Sequence, residues 1–161
     1  MWKDAYKKKV IDPKELRERA QEIRSAEKSI VTLNGSFDLL HAGHLHILYE
    51  ASRQADILIV ALNSDDSIKQ YKSASRPLIP LEYRLQMLSA IEFVDHVTWF
   101  NETDPRDLLK KIQPDVHVNG SEYKGRCIEE SVVHKVHYVD LIPGLSTSQI
   151  VDKVQRIDSC G

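Results

Sequence analysis

The chain is short of nearly everything that would mark a specialised class. It carries two cysteines, Cys127 and Cys160, in 161 residues. That gives neither a disulfide framework nor a metal-ligand spacing. No apolar run reaches the ~20 residues needed to cross a bilayer. The N-terminus, Met1-Trp2-Lys3-Asp4-Ala5-Tyr6-Lys7-Lys8-Lys9, is basic but has no apolar stretch of the kind a secretion signal needs. Neither sign of charge prevails: 22 Lys and Arg face 24 Asp and Glu, for a net charge of −2. This removes the broad electrostatic case for nucleic acid. Internal repeats and low-complexity tracts are missing too. What remains is an ordinary globular composition, 42% apolar and 29% charged, in a length that suits one domain and is too short for two. A cytoplasmic protein with no membrane association is the expectation.

The most informative stretch is Asn34-Gly35-Ser36-Phe37-Asp38-Leu39-Leu40-His41-Ala42-Gly43-His44. It follows Ile30-Val31-Thr32-Leu33, which reads as a buried strand, and leads into Leu45 to Arg53, which reads as a helix. A strand-to-helix handover is where open α/β sheets hold ligands. Gly35 permits a tight turn and close backbone approach. His41 and His44 are three apart, so on a helix they share a face at its positive, N–H-bearing end. That suits a polyanion such as a nucleotide's phosphates. The plainer alternative is a pair of surface or structurally satisfied histidines. Zinc would need a third protein ligand, and no Glu stands between the two His as in zinc-protease helices. Asp38 reads as a turn cap in preference to a metal ligand.

Taken in order, residues 1–12 read as a loosely ordered lead-in with Lys7-Lys8-Lys9 solvated. Asp12-Pro13-Lys14-Glu15 reads as a helix start, and Leu16, Ala20 and Ile23 predict an amphipathic helix on the sheet edge. The expected division is thus residues 1–29 as lead-in and helix and residues 30–161 as the functional domain. Asp56 to Leu62 is a nearly continuous apolar run, as in a central parallel strand. Ser67 to Pro77 predicts a loop, or a short helix plus loop, carrying Lys69, Lys72 and Arg76. Those cations either close over phosphates or are scattered surface charges. Pro80 opens a helix with Leu81, Leu85, Leu88 and Ile91 as its buried stripe. Arg84, off that stripe, either reaches a phosphate or forms an exposed salt bridge. Strands follow at Val94–Phe100, Asp115–Val118 and Lys135–Ile142, with a helix at 104–112 between the first two. A short helix is expected over Ile128–His134. His117 reads as a packed core histidine. Asn119-Gly120 makes a second glycine turn at a strand end. Ser146 and Gln149 form a capping box that starts a last helix, with Ile150, Val154 and Ile157 buried. Gly144, Ser146, Thr147 and Ser148 at that helix start also suit phosphate. Five strands alternating with helices predict a Rossmann-like α/β fold: a five-stranded parallel sheet with helices on both faces.

His41-Ala42-Gly43-His44 after a strand, with Asn34-Gly35-Ser36-Phe37-Asp38 before it, resembles the HxGH signature of the nucleotidyltransferase superfamily and, more narrowly, its cytidylyltransferase-like group. Lys72, Arg76-Pro77 and Pro80-Leu81-Glu82-Tyr83-Arg84 are similar to the adenylyltransferase domain of ADP-heptose synthases. Those enzymes carry a Gly-Gly-Asp-Tyr-like sequence where this chain has Gly120-Ser121-Glu122-Tyr123. Ser146-Thr147-Ser148 resembles the Ser-Thr-Thr motif near the end of these transferases.

The resemblance implies transfer of a nucleoside monophosphate from a nucleoside triphosphate, ATP or else CTP, to a phosphorylated small molecule, releasing pyrophosphate. It implies catalytic roles for His41, His44, Lys72 and Arg84. Nucleotide contacts would come from Asn34, Gly35, Ser36, Phe37, Gly43, Asn119, Gly120, Gly144, Ser146, Thr147 and Ser148. Acceptor contacts would come from Lys69, Arg76, Glu122 and Tyr123. Magnesium would be bound mainly through the nucleotide phosphates, with no protein metal site. The acceptor leans toward heptose 1-phosphate, in a stand-alone adenylyltransferase without the sugar-kinase domain of full-length synthases. The alternatives are a glycerol-3-phosphate cytidylyltransferase-like enzyme using CTP and a nucleotide sensor without turnover. A homodimer is a family expectation.

Overall fold

The computed structural model describes residues 2–158, so Cys160 lies outside the described residues. Five strands, β1 (Ile30–Gly35), β2 (Ile57–Asn63), β3 (His96–Phe100), β4 (Val116–Gly120) and β5 (Val136–Val139), form one sheet in the order β3-β2-β1-β4-β5. Every pairing is parallel. The helices are α1 (Trp2–Ala5), α2 (Leu16–Ser25), α3 (Ala42–Ser52), α4 (Asp65–Tyr71), α5 (Leu81–Ser89), α6 (Arg106–Ile112) and α7 (Thr147–Asp158). The fold is the Rossmann-like α/β sheet that the alternating pattern predicts.

Parallel strands need crossovers, and those crossovers cover both faces of the sheet, so successive strand residues must be apolar on both sides. Val31, Leu33, Leu58, Val60 and Val118 pack under α3 and α5, against Leu48, Ala51, Leu85 and Leu88. Ile30, Ile59 and Ala61 point the other way, against Leu16 and Ala20 of α2 and Leu108, Leu109 and Ile112 of α6. On that second face His117 is buried, with Nδ1 2.9 Å from Thr32 Oγ1. It is the packed core histidine expected.

The topology builds outward from β1 through β2 to β3. The chain then returns through α6 to the other side of β1, where β4 and β5 are laid down. Loops leaving β1 and β4 therefore diverge, and a crevice opens beyond Gly35 and Gly120.

Four expectations about the periphery are corrected. The lead-in is packed: Tyr6 and Ile11 are buried. Val10 bridges Val97, the Ile11 N–H donates to the Val97 carbonyl at 2.8 Å, and Lys9 Nζ donates to the carbonyls of Ile91 and Val94. The extended segment satisfies groups at the β3 edge that would otherwise be open. Helix α2 lies on a sheet face beside α6, not on the edge. It begins at Leu16, because Asp12 Oδ1 caps only a preliminary turn through the Lys14 N–H. The Ile128–His134 helix is one 3-10 turn, Ile128–Ser131. Finally, Val154 and Ile157 are 54% and 66% exposed. Helix α7 follows the four-residue edge strand β5, and beyond that edge there is no sheet for its apolar stripe to lie on.

If the lead-in belongs to the core, Ile11→Ala costs about 2–5 kcal/mol of stability. Urea unfolding of the two proteins measures it, and an unchanged midpoint would mean the segment is only draped on the surface.

Candidate active site

The crevice is a cavity of about 630 Å³. It is walled by the ends of β1 and β4, the start of α3, Tyr71 and Lys72 at the end of α4, and the start of α7. Of the residues singled out in the sequence, Asn34, Gly35, Ser36, Phe37, His41, Gly43, His44, Lys72, Asn119, Gly120, Glu122, Tyr123, Ser146, Thr147 and Ser148 all line it. Residues more than a hundred positions apart are brought together by the strand order alone.

The histidine pair is built by a cap. His41 has extended backbone (φ −145°, ψ 173°), so it precedes α3 and does not belong to its first turn. Its Nδ1 accepts the Gly43 N–H at 3.1 Å. An accepting Nδ1 leaves the proton of the neutral ring on Nε2, as a donor. The cap also explains Gly43: a Cβ there would stand 3.0 Å from the His41 ring and 3.4 Å from the Leu145 carbonyl. The His44 ring stacks on His41, centroids 3.9 Å apart, with Phe37 tilted against it at 5.3 Å. Phe37 holds a left-handed backbone (φ 47°), a strained choice for a bulky residue that places its ring over Gly35 and His44.

The electrostatics follow from this packing. Burial, then His41 and Lys72, lower the His44 pKa to about 4. Burial also lowers that of His41. Both rings lie on the neutral side, and His44 Nδ1 is buried without a partner. Asn34 Oδ1 is likewise buried and unpartnered in the cavity wall. Lys72 Nζ donates to Ser36 Oγ at 3.0 Å. Loss of hydration, reinforced by Arg76, lowers its pKa. The N-termini of α3 and α7 converge here. Ser146 Oγ accepts the Gln149 N–H, the cap expected, but Gln149 Oε1 accepts the Ser146 hydroxyl in place of its backbone N–H, so the box is half formed; Thr147 Oγ1 donates to the Leu39 carbonyl. Two positive helix ends thus face one cavity.

Four of the residues singled out are not in the cavity wall. Arg84 is 1% exposed. It donates to the carbonyls of Ile79, Ser36 and Asn63 at 2.9, 2.7 and 2.8 Å, and to Asp65 Oδ1 at 2.6 Å. Neither direct phosphate contact nor an exposed salt bridge describes it. Its guanidinium is spent inside the protein. Arg76 pairs with Asp38 at 2.9 Å, and Lys69 points out toward Asp66 at 3.5 Å. Gly144 (φ 74°) forms the turn before α7. Asp38 does not cap its own turn: it is buried and accepts the N–H groups of Leu78 and Ile79. Burial opposes its ionisation, but those two bonds and Arg76 outweigh it and hold its pKa below the ordinary value.

The structure adds Tyr71, Arg126, Ile128, Glu129, Leu141, Ile142 and Leu145 to the wall. Arg126 and Glu129 follow the Gly120 turn closely, a position that could have flagged them. Nothing in the letters separates a charged residue in a short turn from an ordinary surface residue.

Arg84→Met should cost about 3 kcal/mol or more, since buried carbonyls and Asp65 lose their donors together. Thermal unfolding measures this, and a variant as stable as wild type would deny the anchoring role. For His44 the folded pKa of about 4 lies below the ordinary 6.5. The unfolded chain therefore binds the extra proton first, and the group's contribution to stability, present above about 6.5, is lost as pH falls toward 4. Histidine ring shifts followed by NMR should show His44 unprotonated at pH 5.5.

Comparison with known proteins agrees with this geometry. A family profile described as cytidylyltransferase-like matches residues 32–155. The "Bifunctional protein HldE" of Campylobacter curvus is 42% identical over 144 residues, which is 88% of this chain and 31% of that protein. That of Hydrogenovibrio crunogenus is 41% identical over 150 residues, 89% of this chain and 31% of that one. The chain thus spans about a third of the length of the curated relatives it matches. The crystal structure of the lipopolysaccharide core biosynthesis protein from Thermoplasma volcanium superposes with a TM-score of 0.60 over 70% of this chain and 98% of that one, at 24% identity, a likeness of fold. With the profile spanning most of the chain, the sheet order and the paired imidazoles at its mouth, the chain belongs to the cytidylyltransferase-like family of nucleotidyltransferases.

Proposed function

We propose that this chain transfers AMP from ATP to heptose 1-phosphate, releasing pyrophosphate. The observation that carries the reading is the convergence of two helix N-termini, two stacked imidazoles and Lys72 on one cavity. The similarity to HldE proteins supports ATP and a heptose phosphate over other pairs.

The chemistry asks little covalent work of the protein. An oxygen of the acceptor phosphate attacks the α-phosphorus, the bond to the bridging oxygen breaks, and pyrophosphate leaves with that electron pair. The acceptor is already an anion, so no side chain need be activated as a nucleophile. The protein's task is to hold two anions in line and to offset charge on the α-phosphoryl and leaving group. His41 Nε2–H, the His44 ring and the free N–H groups of α7 are donors for phosphate oxygens. Neutral rings lose less hydration on closure than charged ones would, and still donate. Lys72 supplies the formal positive charge. Arg84 acts through the backbone, fixing the Ser36 and Asn63 carbonyls and with them the loop that carries Lys72.

Magnesium fits as an ion carried by the nucleotide's phosphates, where it would help neutralise the leaving group. Asp38, outside the cavity wall, is committed to Leu78, Ile79 and Arg76; the acids in the wall itself are Glu122 and Glu129. Among the described residues no group of three His, Cys, Asp or Glu side chains could hold a metal.

The cytidylyltransferase-like description of the matching family favours a second reading, CTP with glycerol 3-phosphate. Pyrophosphate release, measured with ATP or CTP against a panel of phosphorylated acceptors, decides between them. ATP with heptose 1-phosphate should be the fastest pair. His44→Ala should keep the fold and slow turnover roughly a hundredfold or more. Nucleotide binding with no turnover on any acceptor would reject the transferase.

A further inference from the structure

We propose that Glu129 is the residue that reads hydroxyl groups on the acceptor phosphate, a role that rests on the transfer reaction above. The wall of the cavity includes Tyr71, Lys72, Tyr123, Arg126 and Glu129. Glu129 is only 6% exposed, yet it lines the cavity. Its Oε2 accepts from Cys127 Sγ at 3.2 Å, and that sulfur in turn accepts from Asn119 Nδ2 at 3.6 Å.

A thiol is a weak donor and meets one of a carboxylate's roughly four acceptor positions. Among the described residues Glu129 forms no ion pair. Arg106, close enough to feel Glu129, is locked onto both oxygens of Asp104. His117, the other group that senses Glu129, is fully buried and spends Nδ1 on Thr32 Oγ1, leaving Nε2 with no partner. A buried carboxylate this poorly served selects for donors arriving from the cavity.

The rest of the wall narrows what those donors belong to. Lys72 and Arg126 are its cations and suit the acceptor's phosphate. The Arg126 guanidinium lies 5.3 Å over the Tyr123 ring, and its Nε donates to the Glu122 carbonyl, which orients it. Tyr71 and Tyr123 line the same cavity. Two cations for a phosphate and an acceptor-only carboxylate for hydroxyl groups, in one wall, describe a polyhydroxylated phosphate ester. A site built to accept hydroxyl protons rejects the analogue that lacks them.

The test uses the whole chain, with calorimetric titration of ATP, mannose 1-phosphate and propyl phosphate, the last a phosphate ester without hydroxyls. Wild type should bind mannose 1-phosphate at least tenfold more tightly than propyl phosphate. Glu129→Gln, which keeps an oxygen for the Cys127 thiol, should weaken mannose 1-phosphate about tenfold or more and leave propyl phosphate and ATP within twofold. In turnover the loss should appear in KM for the acceptor and not in kcat. An unchanged preference in Glu129→Gln, a loss of ATP affinity instead, or no preference in wild type would each overturn the assignment. The hydroxyl preference with no pyrophosphate released on any acceptor would sink the transferase reading and leave Glu129's role in binding intact.

Discussion

The guanidinium of Arg84 sits where carbonyls from three segments would otherwise point at one another without a donor: Ser36 after β1, Asn63 at the end of β2, and Ile79 before α5. One rigid, permanently charged fork satisfies all three, and Asp65 completes it. The rim of the cavity depends on this knot. Ser36 Oγ accepts from Lys72 Nζ, and the segment from Lys72 to Pro80 is tied down at its far end by Asp38, which holds Leu78, Ile79 and Arg76. The loop that carries the cavity's lysine is thus held at its far end by two buried charges, Asp38 and Arg84, and neither charge is offered to a ligand.

That arrangement separates two tasks that a sequence presents in one alphabet. Arg76 and Arg84 organise the wall, while Lys72 and the imidazoles face the cavity. The cavity is faced by oriented dipoles, two helix ends and two neutral rings, beside Lys72 and Arg126. Dipoles fixed by the fold need no reorganisation when charge develops, which is the property phosphoryl chemistry rewards.

Much of this was legible from the letters. Apolar runs on both sides of the strand residues announced a parallel sheet with two covered faces. Ser146 three before Gln149 announced a cap that the Gln149 N–H then realises, whereas His41 reads as a first-turn residue and is instead the cap that accepts the Gly43 N–H. The other misreadings share one physical cause: each turns on what lies opposite. Val154 and Ile157 have the spacing of buried residues but hang beyond the edge strand. Val10 and Ile11 looked like a polar lead-in's tail but lie against Val97. Arg84 looked like a phosphate ligand but met three carbonyls first.

The sequence by itself determined the kinds of element, their order and the chemistry of the residues at strand ends, because periodicity, caps and glycine turns act over a few positions. Only the tertiary structure decided which charged groups reach the cavity and which are consumed in building it. Long-range partners such as Asp38 and Ile79, or Ser36 and Lys72, are assigned by which loops meet at the mouth of the sheet, and the cavity itself by the reversal of strand order between β1 and β4. No local preference encodes that reversal.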